Sequence, residues 1–448
     1  MADTFPYSDF PPDRRHSWCR WQYWLPLIAI AIVVFLNSAK LEYANAPDGE
    51  IYGQLEGSST IRRVTYLLLG GVGCLLVSAR PLPFKVTPQS MVAVSVALLS
   101  YAFVSLFWSE DPGNTFKRTI LLACIVVAGF GIGRTWTLEE FARAICILST
   151  TFLVVGIAAE VRFGTFLSGG TSYRFSGVFH PAKQAFNCGM LFLASLAIYL
   201  RQRNKLMLLL AAIACLFLVL TKARTGLGAT VIASFVLLLP HLSRGWLVGL
   251  GLILMLTISG ALIHFGGTTH RVDAIAIGAM GRDREHADPT KLTGRLTIWS
   301  QALEEFSQRP VLGYGYGAFW TRDRQTDFAR RNGWSPAHSH SGYIESLVNL
   351  GSLGMIALLA LTISVLWKSF RFRHSALARF VTAYVVFSLV ASLTETAFVT
   401  DGYQLICLIA GSFLIAHEPK VHCLAINGSS LRSPVQHRMP LLPVQGHA

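Results

Sequence analysis

Apolar residues gather into runs near 25–39, 64–79, 91–108, 118–133, 141–161, 185–200, 206–221, 226–239, 246–265, 343–367, 376–393 and 402–416, separated by polar stretches. A bilayer-spanning helix needs ~20 mainly apolar residues, so the pattern predicts an all-α integral membrane protein with about twelve transmembrane helices. Several runs are shorter than that. Their helices must extend into polar flanks, as is common where helices line a cavity instead of facing lipid. The long polar segment 266–342, between the ninth and tenth runs, is expected to be partly helical. In "TGRLTIWSQALEEFSQRP", Leu296, Trp299, Leu303 and Phe306 fall at helical spacing, and Pro310 follows where a helix should stop. This stretch predicts an amphipathic helix resting on the membrane domain. A glycine-rich aromatic turn, "LGYGYGAFW", comes next, and then a polar, basic stretch, "TRDRQTDFARRNGWSP".

Charge orients these spans. With Arg14, Arg15 and Arg20 in the cytoplasm, Arg80 and Lys85, then Arg201, Arg203 and Lys205, then Arg244, then Lys368, Arg371 and Arg373 all fall on the same side. The opposite loop 40–61 is acid-rich, and "TETAFVTD" has no Lys or Arg. The positive-inside rule therefore gives a cytoplasmic tail 1–24, helices one to nine over 25–265, an outer segment 266–342, helices ten to twelve over 343–416, and a cytoplasmic tail 417–448. The polar stretch before the first run is longer than the n-region of a cleaved signal, so a retained signal-anchor helix is expected.

Composition agrees. The 448 residues are 52% hydrophobic and 14% charged, against about a quarter charged in soluble domains, with mean hydropathy +0.48. The net charge of +14 is scattered between apolar runs, which argues for membrane loops and against nucleic acid. Of the eight cysteines, no pair has metal-site spacing; they read as small core residues.

Chemistry-bearing residues converge on the outer face. Arg224, beside Lys222, lies in a short outer turn, on the wrong side for the positive-inside bias. Its bland reading is interfacial snorkelling. Arg295 opens the amphipathic helix, where a cation opposes the helix dipole but a bound anion would be welcome; the alternative is a surface pair with Glu304 or Glu305. "RFSGVFHPAKQAFN" adds Arg174, His180, Lys183 and Gln184. Guanidinium and ammonium groups gathered this way suit a diphosphate. His338 and His340 precede the tenth run. Histidine suits general-base work near neutrality; H-x-H can also ligate a metal, but no third ligand is near. Glu345 either orients the His340 ring or caps polar groups where the helix begins.

With these residues assembled, "TKARTGLGA", "GRLTIWSQALEEFSQRPVLGYGYGAF" and "HSGYIESLVNLGSLG" resemble the O-antigen ligase and O-antigen polymerase superfamily, which includes exopolysaccharide polymerases. The resemblance covers roughly residues 170–360. Arg224 and Arg295 match the family's two functional arginines, and His340 matches its histidine, with Ser341 and then Gly342, Tyr343 and Ile344 where the family usually has Asn before an aromatic–aliphatic pair. The resemblance implies a bacterial inner-membrane glycosyltransferase, independent of metal and cofactor, with its site facing the periplasm. Its donor would be a glycan on undecaprenyl diphosphate. Its acceptor would be the lipid A core (ligase) or a growing polysaccharide (polymerase). Catalytic roles would fall to His340, Arg295 and Arg224, and substrate contacts to Arg174, His180, Lys183, Gln184, Lys222, His338, Tyr343 and Glu345. The competing expectation is a polysaccharide or lipid-linked oligosaccharide transporter or flippase, which should carry ionisable residues near span midpoints and paired interrupted helices.

Overall fold

Eleven of the twelve apolar runs are α-helices in the computed structural model, which describes residues 21–45, 59–79, 89–168, 170, 173–241, 295–333, 335–371, 375–396 and 402–417. The run at 246–265, residues 1–20 and 418–448 of the expected tails, and part of the outer segment lie outside the described residues. The helices are α1 (Trp21–Ser38), α2 (Glu42–Asn45), α3 (Ser59–Ala79), α4 (Gln89–Val104), α5 (Pro112–Thr135), α6 (Leu138–Phe163), α7 (Pro181–Gln202), α8 (Lys205–Leu220), α9 (Arg224–Leu238), α10 (Arg295–Gln308), α11 (Arg322–Asn332), α12 (Gly342–Arg371), α13 (Ala376–Ala391) and α14 (Gly402–His417). Among the described residues there is no strand. Six helices (α1, α3, α5, α6, α7 and α12) are long and apolar enough to cross a membrane, and α4, α8, α9, α13 and α14 are shorter apolar helices. The protein is a multi-pass helical membrane protein.

Local chemistry sets the helix ends. At α6 the Thr137 N–H donates to Glu140 Oε2 (2.8 Å) while the Glu140 N–H donates to Thr137 Oγ1 (3.2 Å), a reciprocal cap. Asp111 and His180 cap α5 and α7, each followed by proline, whose missing N–H costs nothing at that position.

Helices α7 and α13 form the centre. Side chains on every side of α13, from Leu377 to Val385, are buried. Helix α7 packs against α6, α8, α9 and α13. Around them, α1, α3 and α8 expose apolar side chains such as Ile28, Leu68 and Leu209, as helices bordered by lipid should.

Two sequence expectations change here. The amphipathic helix α10 forms and ends before Pro310, but its buried face runs through Ile298 and Ala302, while Leu303 is 44% exposed. The face turns because α10 packs on α12 and feeds a second small core of Ala302, Tyr314, Phe319 and Val348. The run at 343–367 is also not one straight helix: α12 breaks at Gly351, with φ +66° and ψ −171°.

Candidate active site

Two loops and the first turns of the helices that follow them carry eight of the eleven predicted residues, and each loop is tied to a buried carboxylate. The first, residues 173–180, joins α6 to α7. Glu160, one turn from the end of α6, is fully buried. Its Oε1 accepts the N–H groups of Ser176 (3.0 Å) and Gly177 (2.7 Å), and its Oε2 accepts the Tyr173 hydroxyl (2.6 Å). Gly177, at φ +60°, backs onto Gly156; a Cβ there would lie 2.8 Å from the Gly156 Cα. The loop then docks on the end of α8. The Phe175 N–H donates to the Leu220 carbonyl (2.9 Å), and the Arg174 Nε–H donates to the Thr221 carbonyl (2.9 Å). His180 closes the loop as the N-cap of α7, its Nδ1 accepting the Ala182 N–H (3.2 Å). A neutral His180 therefore carries its proton on Nε2 and is a donor there. Lys183 and Gln184 follow in the first turn. Gln184 is fully buried, and its Oε1 has no hydrogen-bond partner among the described residues.

The second loop, residues 335–341, leads into α12. Glu345, 2% exposed, accepts the Ser339 N–H (2.9 Å) and the Trp320 indole N–H (3.0 Å) on Oε2, and the Asn349 amide (3.0 Å) on Oε1. Of the two expectations for Glu345, the hydrogen bonds match capping where the helix begins, and none runs to the His340 ring. The carboxylate grips the backbone one residue earlier, because the chain turns into the left-handed region at His340 (φ +52°). That conformation is rare for residues with a side chain and needs surrounding support. Support comes from the Ser339 grip, from the Trp299 indole donating to the Ser339 carbonyl (2.9 Å), and from the His340 N–H donating to His338 Nδ1 (3.3 Å). The two rings touch, their centroids 4.2 Å apart. With Nδ1 occupied, a neutral His338 has its proton on Nε2 and no ring lone pair left to offer. His340 Nδ1, in contrast, is buried without a partner among the described residues.

The loops meet the arginines through the turn after α13. The Gly342 N–H donates to the carbonyls of Ser392 (2.8 Å) and Glu395 (3.0 Å). The Arg295 Nη2 pairs with Glu395 Oε1 at 3.1 Å, not with Glu304 or Glu305. The Thr394 hydroxyl donates to Thr225 Oγ1 (2.6 Å), which sets the start of α9 beside this turn. Arg224 opens α9, exposed and with no ion pair or side-chain hydrogen bond among the described residues. Lys222 precedes it at φ +50°. The Tyr343 hydroxyl donates to the Leu389 carbonyl (2.9 Å), so that phenol ties α12 to α13.

Electrostatics shows which groups share one space. Burial first, and then His338, Arg295 and His180, lower the His340 pKa to about 3. Burial, and then Arg174, Lys183, Arg295 and His338, lower that of His180 to about 4. Arg295 and His338 act on both imidazoles, the two rings act on each other, and Arg174 and Lys183 act on His180. Burial and cationic neighbours keep both rings neutral at pH 7. Among the described residues, no three His, Cys, Asp or Glu side chains are grouped to hold a metal ion.

The lowered values carry a stability consequence. An unfolded chain takes up these protons near pH 6.5, but the folded chain only near 4 and 3. Between those limits the unfolded state binds more protons, so stability is complete above about pH 6.5 and falls as the pH drops toward 3. The melting temperature in detergent should fall between pH 7.5 and pH 5, less so in a His180→Asn/His340→Asn double variant. Equal pH dependence in the two proteins would mean that the rings are not held neutral.

Sequence reasoning missed Glu160 and Glu395. Glu160 left a legible signal, a carboxylate inside an apolar run. Glu395 left none, since its partner is 100 residues away.

Residues 206–359, which contain Arg224, Arg295, His338, His340 and Glu345, match the O-antigen ligase family. The exopolysaccharide production protein ExoQ of Rhizobium meliloti (strain 1021) is 26% identical over 301 residues, 58% of this chain and 61% of that protein, so the match spans less than two thirds of that relative. The O-antigen ligase of Pseudomonas aeruginosa PAO1 is 26% identical over 350 residues, 75% of this chain and 79% of that protein.

Proposed function

We propose, from the match of residues 206–359 to the O-antigen ligase family, that the protein is a bacterial inner-membrane glycosyltransferase whose site faces the periplasm. It moves a glycan from undecaprenyl diphosphate to an acceptor hydroxyl with inversion and without a metal. The acceptor is the lipid A core or a growing surface polysaccharide. The observation that carries this reading is that Arg174, Lys183 and Arg295 act on His180, while Arg295 and His180 act on a neutral, buried His340.

The donor is an anion with a poor route out of water, and the arginines and Lys183 replace its hydration with fixed charge. Arg295 exchanges Glu395 for a phosphate oxygen, and Arg224 supplies a second guanidinium. Neutral His180 donates from Nε2 to the same group. The acceptor oxygen attacks the anomeric carbon from the face opposite the diphosphate. A new C–O bond forms as the anomeric C–O bond to phosphate breaks, and the diphosphate leaves with the electron pair. The His340 imidazole takes the hydroxyl proton as the bond forms. Holding both substrates at this spot supplies a large part of the acceleration.

Among the described residues, the broken helix α12 is the feature that favours a transporter. The break is closed, though: the N–H groups of Ser352 and Leu353 donate to the carbonyls of Pro310 (2.9 Å) and Val311 (3.3 Å), and the N–H of Tyr314 to that of Val348 (2.9 Å). A segment filled by its own chain lines no substrate path.

The test is reconstitution. Purified protein in liposomes, given an undecaprenyl-diphosphate-linked glycan, should extend either lipid A core or a second carrier-linked glycan. Release of neither product, with both acceptors present and the protein folded, overturns the transferase reading. Deleting the gene in the host then separates the two acceptors. Loss of long chains on lipid A with polymer still made on the carrier marks a ligase, and loss of the polymer itself marks a polymerase.

A further inference from the structure

Glu160 and Glu345 lie at opposite ends of the sequence of this site, yet they are built alike. Each sits in the terminal turn or so of an apolar helix, Glu160 at the end of α6 and Glu345 at the start of α12. They are 0% and 2% exposed. Neither forms an ion pair with a cation among the described residues. A carboxylate in such a place is costly unless donors surround it, and a helix that needed only stability would carry an apolar residue there. Apart from the Trp320 indole, every hydrogen bond the two side chains receive from outside their own helix comes from a loop that carries site residues. Glu160 takes Tyr173, Ser176 and Gly177, from the loop that carries Arg174 and His180. Glu345 takes Ser339, next to His340, and Trp320.

We propose that Glu160 and Glu345 are positioning residues, two buried carboxylates that fix the diphosphate-gripping loop and the proton-accepting loop independently. The proposal rests on the transferase reading for its chemistry, but the pinning itself is a property of the loops. Glu160 acts through Arg174 and His180, and therefore on donor binding. Glu345 acts through the Ser339 amide on the left-handed His340, and therefore on the chemical step.

The hydrogen bonds also predict that the two will tolerate amidation differently. In Glu160→Gln the amide oxygen can keep the Ser176 and Gly177 N–H groups, while the new NH2 turns to the Tyr173 oxygen, a hydroxyl that can accept as well as donate. In Glu345→Gln the oxygen can keep Ser339 and Trp320, but the NH2 then faces the Asn349 NH2. Asn349 cannot flip without loss, because its Oδ1 accepts the Phe319 N–H (3.2 Å) and its Nδ2 also donates to the Glu345 carbonyl (2.8 Å).

The experiment uses the full-length protein in detergent or liposomes and measures transfer kinetics alongside hydrogen exchange of the peptides covering 173–180 and 335–341. Glu160→Ala should raise the donor KM roughly tenfold or more and leave kcat within about threefold. Glu160→Gln should restore the KM. Glu345→Ala should lower kcat roughly a hundredfold at nearly constant donor KM and shift the acid limb of the kcat profile, and Glu345→Gln should recover little of the loss. In each alanine variant only the pinned loop should lose exchange protection. Equal loss of kcat and KM in both, equal rescue by both glutamines, or unchanged protection in the pinned loop overturns the proposal. If the alanine variants do not fold, the two glutamine variants carry the same comparison. Loop-specific loss of protection in a wild-type background that transfers no glycan would sustain the pinning and overturn the transferase reading, so the two failures are distinguishable.

Discussion

Replacing His340 by asparagine should leave a folded, membrane-inserted protein that transfers glycan roughly 10²–10⁴-fold more slowly. Asparagine is the informative choice. It is among the few residues that tolerate the left-handed conformation His340 adopts at φ +52°. The backbone N–H then still reaches His338, and the loop keeps its path, so the missing group is the imidazole alone. His338→Ala tests the other ring. It removes the acceptor of the His340 N–H but no base, so it should cost on the order of tenfold through loosened geometry. Both are read as kcat and kcat/KM on purified protein of matched melting temperature. If His340→Asn retains activity within about threefold of wild type while His338→Ala abolishes it, the roles are reversed. The pH profile adds a signature. Burial lowers the His340 pKa first, and the neighbouring His338 and Arg295 lower it further. A diphosphate beside Arg295 offsets the cationic part. The acid limb of kcat, which reports the loaded enzyme, should therefore lie at higher pH than that of kcat/KM.

The spans were legible because bilayer physics writes itself into long apolar runs, and eleven of those runs are helices within a few residues of their expected ends. The face of α10 was not. Helical spacing identifies a stripe but cannot say which of two neighbouring stripes meets a partner, and it was the small core with Val348 of α12 that selected Ala302 over Leu303. The chemistry of the site was legible as residue types: cations in loops where none were needed, histidines ahead of a span. The wiring was not. Whether Glu345 holds a ring or an amide depends on one backbone rotation at His340, and no pattern in "HSHSGYIES" announces it. The Arg295–Glu395 pair joins residues with 99 others between them, and no local pattern records a pairing at that distance. The break at Gly351 hid inside "NLGSLG", which reads as a small-residue patch of an ordinary span.

That break underlies the largest expected effect on stability. Gly351→Ala should destabilise the folded protein by about 3 kcal/mol or more. Gly351 has φ +66° with an extended ψ of −171°, a region that essentially only glycine occupies. A Cβ there would overlap the Val311 carbonyl. That segment cannot retreat, because it supplies the hydrogen bonds the broken helix lacks. The carbonyls of Val348 and Asn349 accept the N–H groups of Tyr314 and Gly315 (each 2.9 Å), and the Leu350 carbonyl accepts the Tyr101 hydroxyl (2.8 Å). Displacing residues 310–315 would leave the Val348 and Asn349 carbonyls and the N–H groups of Ser352 and Leu353 unpaired within an apolar helix, at about 1–3 kcal/mol for each buried group. The damage should reach the site, since the short helix before the break begins at Gly342, two residues after His340, and carries Glu345. A control separates this from glycine's general flexibility. A Cβ at Gly71, inside α3, meets nothing within 4 Å, so Gly71→Ala should be neutral or slightly stabilising. The pair is compared by melting temperature in detergent and by transfer rate. A Gly351→Ala protein that melts with the wild type and transfers at its rate would mean that α12 runs unbroken through this position, and that the outer segment is not what holds the His340 loop in place.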